Sequence, residues 1–219
     1  MFIGHFALGL AAKRVVPRLS LATLFVAVQL ADMLWPVLLA LGLEEVRIAP
    51  GITAMTPLDF VSYPFSHSLL FLFGWGLILA SLYRLIAGNG RTFPVLIALV
   101  VSHWVLDFVT HRPDMPLYPG SEKFGLSLWN SVHATVAIET AMFAAGVWIY
   151  VRSTRAKDAI GRWGLAGMVA LLMLAYVGAF SGPPPPSVTA LWITSLLGAA
   201  LGTLLSWWVD RHRATASAR

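Results

Sequence analysis

The chain contains no cysteine among its 219 residues and has few charged side chains. The absence of cysteine excludes disulfides, thiolate metal ligands and a cysteine nucleophile. Only 11% of the residues are charged, against about a quarter in a typical soluble domain. Because 58% of the residues are hydrophobic, the composition excludes an ordinary soluble domain and is typical of an integral membrane protein.

Apolar runs of about 20 residues, the length that an α-helix needs to cross a bilayer, recur along the chain. A short first helix is expected near 2–16, and spans are expected near 19–42, 66–88, 92–111, 127–151, 161–181 and 187–209. The sequence therefore predicts an all-α, polytopic transmembrane helical bundle of six to seven helices, formed by one domain over residues 1–209. The first five helices are expected to build the site and the last two to support it. A basic cytoplasmic tail, expected to be disordered, follows at 210–219.

Basic residues lie at the ends of the predicted helices. Twelve of the 15 lysines and arginines fall in one set of alternate connections, and the other three, Arg47, Arg112 and Lys123, fall in the opposite set. The positive-inside rule assigns the larger set, and with it the C-terminus, to the cytoplasm. Because the basic residues do not form one patch, no nucleic-acid partner is expected. The prediction is a multi-pass protein of a bacterial-type inner membrane, with membrane lipid as its partner.

The densest polar cluster lies in SHWVLDFVTHRPD, where His103, Asp107 and His111 recur every four residues on one helical face. Burying such groups in lipid is costly, so they usually face a bundle interior or a cavity. Imidazole and carboxylate are the ligand set of a zinc-like divalent metal. His103 and Asp107 are expected to share an ion, whereas His111, about 12 Å of rise from His103, is expected to serve a second ion or contact substrate. The alternative is an Asp–His pair that only holds the bundle together.

Single polar residues in the neighbouring spans extend this prediction. Asp32 is a lone carboxylate in the second helix, which favours metal ligation or a proton role over a structural hydrogen bond. His133 is predicted either as a ligand from a second helix or as an interfacial histidine bonded to Asn130. In Y-P-F-S-H-S, Ser66 is predicted to cap the third helix, which leaves His67 without a structural explanation.

Other polar and small residues are given structural roles. Glu139 points away from the predicted ligand on its own helix and is treated as supporting, and Asp59 and Asp114 are loop residues that are not expected to touch the site. Gly198 and Gly202 have the G-x-x-x-G spacing that allows close helix contact. This pair predicts a contact that supports the bundle or a homodimer.

The pieces GHFALG, QLADMLWP, FSHSLL and HWVLDFVT together resemble the YdjM-like family of membrane-bound, metal-dependent hydrolases. The likeness extends from the N-terminus to the fifth predicted helix. Families of this kind are distantly similar to zinc-dependent phospholipase C and to P1 nuclease, which are helical and hold clustered zinc ions through histidine and aspartate. The resemblance implies the metal ligands His5, Asp32, His67, His103 and Asp107.

The residues and the resemblance together predict a metal-dependent hydrolase that acts on a phosphoester or lipid-linked substrate at the outer membrane face. One or two ions of zinc, with manganese or iron as alternatives, are expected at His5, Asp32, His67, His103, Asp107 and His133. Asp107 and His111 are the predicted catalytic residues, with His111 passing protons. The competing functions are a transporter of divalent cations or protons, a haem protein and a non-catalytic membrane scaffold. The lack of an internal repeat counts against transporters built from inverted repeats.

Overall fold

The apolar runs fold into helices whose bounds follow the predicted spans. In the computed structural model, which describes residues 1–87 and 90–216, the α-helices are α1 (Ile3–Ala12), α2 (Leu21–Val28), α3 (Leu30–Ala40), α4 (Pro64–His67), α5 (Leu69–Ala87), α6 (Phe93–Thr110), α7 (Val132–Ser153), α8 (Leu165–Ser181) and α9 (Val188–Arg211). Among the described residues, five helices are long and apolar enough to cross a membrane, and α2 with α3 makes a sixth when the bent pair counts as one span. The predicted all-α transmembrane bundle is confirmed.

The second predicted span is broken at Gln29, where α2 and α3 meet at an angle of 58°. Ser20 begins α2 by accepting a hydrogen bond from the N–H group of Thr23 at 3.1 Å. Carbonyl groups in the last turn of a helix have no partner further along the same helix. Because α2 ends at Val28, the carbonyl of that residue is available to a side chain from another helix.

The first helix is held against α7 by two contacts. Gly146 allows a close approach of the two backbones, because a Cβ at that position would lie 2.7 Å from the Cα of Ala7. At the start of α1, Glu139 Oε2 accepts hydrogen bonds from the N–H groups of Phe2 at 2.8 Å and Gly4 at 3.2 Å. A carboxylate at a helix N-terminus satisfies free donors and interacts favourably with the helix dipole. Glu139 therefore has a supporting role, and it positions the helix that carries His5.

Short strands that the sequence does not predict cover one end of the bundle. Strand β1 (Glu45–Ile48) pairs antiparallel with β2 (Leu58–Ser62), and β3 (Met115–Pro116) pairs with β4 (Lys123–Phe124). Buried side chains from these strands and from α3 form one cluster, made of Trp35, Leu39, Val46, Phe60, Tyr63 and Met115. This cluster covers the end of the bundle at which α4 and the last turn of α6 lie.

The opposite end is joined by a buried ion pair. Lys13 Nζ lies 2.7 Å from Asp210 Oδ2, and Asp210 also accepts hydrogen bonds from the hydroxyl of Tyr150 at 2.7 Å and the N–H group of Leu21 at 3.0 Å. Beside this pair, β5 (Thr154–Ala156) and β6 (Arg213–Thr215) form an antiparallel ladder. The predicted disordered tail is therefore ordered up to 216, because its backbone pairs with the α7–α8 connection; the rest of that tail, 217–219, lies outside the described residues.

Candidate metal centre

The side chains of Asp32, His67, His103 and Asp107 meet at the covered end of the bundle. Asp32 comes from α3, His67 from α4, and the other two from α6. His103 Nε2 lies 3.1 Å from Asp107 Oδ2 and 3.7 Å from Asp32 Oδ1. His67 Nε2 lies 3.4 Å from Asp32 Oδ1 and 3.9 Å from Asp107 Oδ2. Three helices thus contribute two nitrogen and two oxygen atoms to one small space.

The spacing of these four atoms suits donors around a single ion. Four ligands at about 2.0–2.1 Å in a tetrahedron lie about 3.3 Å from one another. The four distances between a histidine nitrogen and a carboxylate oxygen run from 3.1 to 3.9 Å. His103 Nε2 is buried and satisfies no hydrogen bond, although the Asp107 oxygen lies close. Because a buried polar atom without a partner is costly, the donor set fits a bound metal better than a hydrogen-bonded network.

A backbone carbonyl fixes the orientation of His103. Its Nδ1 lies 2.8 Å from the carbonyl oxygen of Val28, which can only accept, so Nδ1 carries the proton. In the neutral ring Nε2 then holds the free lone pair, and this atom faces Asp32 and Asp107. Histidines that bind metals usually donate their second nitrogen to an acceptor in this way.

A serine and a buried glutamate orient His67. Ser66 Oγ donates to Glu44 Oε2 at 2.6 Å, and it therefore accepts from His67 Nδ1 at 2.7 Å. Glu44 is held in turn by the N–H groups of Phe65 and Ser66, at 2.9 and 2.8 Å from its Oε1. The lone pair of His67 is thus left on Nε2, which faces Asp32.

The prediction that Ser66 caps a helix is wrong. The N–H group of Phe71, in the first turn of α5, donates to Ser68 Oγ at 3.3 Å, so Ser68 takes that position. Ser66 lies inside the short helix α4, where its hydroxyl contacts Glu44 and His67 instead. Sequence reasoning also missed Glu44, which is 5% exposed. The only signal for it is the acidic pair at 44–45, which does not show which of the two carboxylates is buried.

His111 approaches the same cluster from the end of α6. The helix ends at Thr110, and His111 has an extended backbone with φ −68° and ψ 152°. Its Nε2 lies 3.8 Å from Asp107 Oδ2, the closeness that the four-residue spacing of the two side chains predicts. His111 and His103 therefore face one carboxylate rather than two separate places.

The other nitrogen of His111 is held by Asp114. His111 Nδ1 lies 2.9 Å from Asp114 Oδ1, which also accepts a hydrogen bond from the hydroxyl of Tyr63 at 2.8 Å. Burial lowers the pKa of His111 and so favours the neutral ring. Burial and the nearby Asp114 carboxylate raise the pKa of Tyr63, which keeps its hydroxyl as a donor. Asp114, a loop residue not expected at the site, is a direct partner of His111.

His5 reaches the cluster from α1. Its Nε2 lies 3.0 Å from Asp107 Oδ1, and its ring stacks on that of His103 with centroids 3.8 Å apart. The α-amino group of Met1 contacts the same oxygen of Asp107. Asp107 thus presents one oxygen to His5 and the other to the remaining histidines. His5, His103 and Asp107 form a second group of donors close enough to share an ion.

His133 does not join the cluster. It is exposed at the start of α7, whereas Thr135 and Glu139 on the same helix are buried. Because successive helical residues are about 100° apart, His133 points roughly 200° away from Thr135. Among the described residues, neither group of close donors contains His133. The geometry therefore does not support the prediction of a ligand from α7, and the side chains that meet His103 and Asp107 come from α1, α3 and α4.

Arg47, Arg112 and Lys123, the basic residues of the smaller set, line one pocket of about 390 Å³ beside Asp114. Arg112 pairs with Asp59 and, at 3.3 Å, with Asp114. These three cations therefore lie at the end of the bundle that holds the histidines, opposite the Lys13–Asp210 pair. The smaller set of basic residues thus lies at the opposite end of the bundle from Lys13, as the charge pattern predicts.

A second cavity, of about 570 Å³, reaches the cluster at Asp32. The side chains of His5, His67, His103 and Asp107 are at most 3% exposed, whereas that of Asp32 is 39% exposed. The cavity lies between α3, α8 and α9 and is lined mainly by apolar side chains. The cluster is therefore accessible through this cavity.

The fold and the cluster define a polytopic membrane protein with histidine and aspartate side chains gathered at one end of the bundle. The model of the YdjM inner membrane protein family matches residues 1–182. The chain belongs to this family and is a multi-pass inner membrane protein. No curated protein and no solved structure matches the chain. The distant similarity to zinc-dependent phospholipase C and P1 nuclease therefore stays a prediction.

Proposed function

We propose that this protein is a metal-dependent hydrolase in which Asp32, His67, His103 and Asp107 hold one divalent ion. The observation that carries the proposal is the 3.1–3.9 Å separation of the two histidine nitrogens from the two carboxylate oxygens. Nitrogen and carboxylate ligands without thiolate suit zinc, with manganese or iron as alternatives. An ion bound there would supply a hydroxide nucleophile near neutral pH and polarise the scissile bond.

His111 is the proposed proton-transfer residue. Its Nδ1 is fixed by Asp114, and its Nε2 lies 3.8 Å from the Asp107 oxygen that faces the proposed ion. A neutral imidazole held by a carboxylate in this way can take a proton from an attacking water and return it to a leaving group. Asp107 serves catalysis as a ligand, and His5 positions it through Oδ1. The group His5, His103 and Asp107 is an alternative position for this ion, because the one free lone pair of His103 cannot bind two ions at once.

The proposed substrate is a phosphoester or a lipid-linked molecule at the membrane face where the cluster lies. The support for it is the placement of the donors at the end of transmembrane helices, beside a cavity with an apolar lining. A small number of polar groups at one point of an apolar cavity is the usual form of a site that binds small molecules.

Ion transport, the second class of function, requires a polar path across the membrane. Between the histidine cluster and the Lys13–Asp210 pair, α1 and α2 present the buried apolar side chains Leu10, Leu21 and Phe25. This apolar layer favours a site at one face over a path through the bundle. Haem ligation is disfavoured as well, since the His5 and His103 rings stack 3.8 Å apart and leave no space for a macrocycle between them.

Hydrolysis of bis(p-nitrophenyl) phosphate by detergent-purified protein with added zinc tests the proposal. The proposal predicts turnover that a chelator abolishes and that is lost in His103→Ala. The matched control is His133→Ala, because His133 is an exposed histidine outside the cluster. Turnover that is equal in both variants, or that survives the chelator, would overturn the proposal.

A further inference from the structure

The cavity that reaches Asp32 is bounded by α8 and α9, the two helices to which the sequence assigns only a supporting role. Helix α9 packs against α2 and α3. On α8, the ring of Tyr176 stacks on that of Phe2 with centroids 6.1 Å apart, which holds α8 beside α1. The space of about 570 Å³ that remains between them is within the range of about 300–1,000 Å³ found for small-molecule sites.

Gly198 and Gly202 open the α9 wall of this cavity. Both line it, and a Cβ added to either would meet no atom within 4 Å. The G-x-x-x-G pair therefore does not make the close helix contact within the bundle that its spacing predicts. The missing side chains instead leave room beside α9.

Three buried polar atoms without hydrogen-bond partners belong to side chains of the cavity wall. They are Gln29 Oε1, Glu139 Oε1 and the Tyr176 hydroxyl, in residues that are 7%, 0% and 2% exposed. Polar atoms at this depth are nearly always paired, so an unpaired set indicates that a ligand or water completes it. With Asp32 they form the polar part of a wall that is otherwise apolar.

We infer that this cavity binds a bilayer lipid whose apolar chain lies between α8 and α9 and whose phosphate-ester headgroup faces Asp32. The inference rests on the proposed hydrolase function and names its substrate class. The Tyr176 hydroxyl can donate a hydrogen bond to a headgroup oxygen, and Gln29 Oε1 can accept one from a headgroup hydroxyl. On the apolar side, Leu171 and Leu201 line the cavity and are 40% and 54% exposed, which leaves that wall open towards the bilayer. A lipid can therefore enter from the side and never leave the membrane.

Photolabelling in vesicles of phosphatidylethanolamine and phosphatidylglycerol tests the inference, with a phosphatidic acid that carries a diazirine on its acyl chain as the probe. In the wild type, the label is expected on residues of the cavity wall such as Leu172 and Ala199. Gly202→Leu places a side chain in the cavity and is expected to lower this labelling about tenfold, since it displaces several methylenes of the chain. The matched control is Gly178→Leu on α8, which also has open space at Cβ but does not line the cavity.

Equal labelling of Gly202→Leu and Gly178→Leu, or label spread evenly over all lipid-facing helices, would overturn the lipid site. Turnover of the soluble phosphoester separates this result from failure of the hydrolase proposal. If Gly202→Leu loses both label and turnover of phosphatidic acid while it still binds as much zinc as Gly178→Leu, the lipid site is supported. If the label maps to the cavity and neither substrate is turned over, the lipid site stands and the hydrolase proposal fails.

Discussion

His103 Nδ1 lies 2.8 Å from the carbonyl oxygen of Val28, across the point at which the second transmembrane span is broken. The break frees this carbonyl from helical pairing, and the carbonyl in turn requires a proton on Nδ1. The bend in the span therefore determines that the lone pair of His103 faces the two carboxylates. The bend between α2 and α3 and the orientation of the His103 ring are therefore linked by one hydrogen bond.

The buried Glu44 is predicted to control metal affinity through Ser66 and His67. Glu44→Gln removes the carboxylate that receives the Ser66 proton, so the orientation of His67 Nδ1 is no longer fixed. Loss of such a partner lowers metal affinity by about 10- to 100-fold. Titration of the purified protein with zinc against a competing chelator measures this change. Glu45→Gln is the matched control, because Glu45 is exposed and pairs with Arg47, and the prediction fails if the two variants bind zinc equally.

His111 is predicted to act on turnover and not on metal retention. His111→Ala leaves the four proposed ligands in place and removes the proton-transfer group, so turnover should fall by about 10²–10⁴-fold while bound metal stays near the wild-type amount. Elemental analysis of a sample checks that the metal is retained, and phosphoester turnover of the same sample checks that activity is lost. Asp114→Asn should lower turnover in the same direction, since it weakens the hold on Nδ1. Loss of metal in His111→Ala would instead make His111 a ligand.

The Lys13–Asp210 pair is predicted to stabilise the end of the bundle opposite the site. Asp210→Asn leaves the Lys13 ammonium buried without its counter-ion, which costs about 3–5 kcal/mol in the free energy of unfolding. Thermal unfolding in detergent should show a clearly lower midpoint. The control is Asp158→Asn, because Asp158 is an exposed partner of His212 and should leave the midpoint unchanged. Equal midpoints for both variants would show that the buried pair contributes nothing.

Gly146 is predicted to be required for the close packing of α1 against α7. Gly146→Val places a side chain against the backbone of Ala7 and should cost about 1–3 kcal/mol in stability. It should also displace His5 and so reduce turnover. Gly167→Val on α8 is the control, since a Cβ there meets no atom within 4 Å. An unchanged Gly146→Val protein would mean that α1 tolerates a shift and that its contact with α7 does not position His5.

Hydropathy and charge predict the transmembrane helices well because both signals are local to each segment. The meeting of Asp32, His67 and His103 was also predictable, since buried imidazole and carboxylate in a transmembrane helix require a partner. All three meet in the structure, as the sequence analysis expects. What one sequence could not supply is the set of contacts between helices.

The positions that the sequence does not anticipate follow from that limit. His133 is polar and close in sequence to the predicted site, but the face of α7 that is buried carries Thr135 and Glu139. The contact of His111 with Asp114 depends on the path of the chain after α6, which an apolar pattern does not describe. Glu44 lies outside the spans, so nothing in its local sequence indicates that it is buried beneath Ser66.

Elemental analysis of the protein purified from the membrane, comparing wild type with the double variant His103→Ala, Asp107→Ala, tests the central claim most directly. The account predicts close to one zinc, manganese or iron per chain in the wild type, none in the double variant, and an unchanged amount in His133→Ala. Absence of metal from the wild type even after reconstitution with zinc, or equal metal in wild type and double variant, would contradict the metal centre.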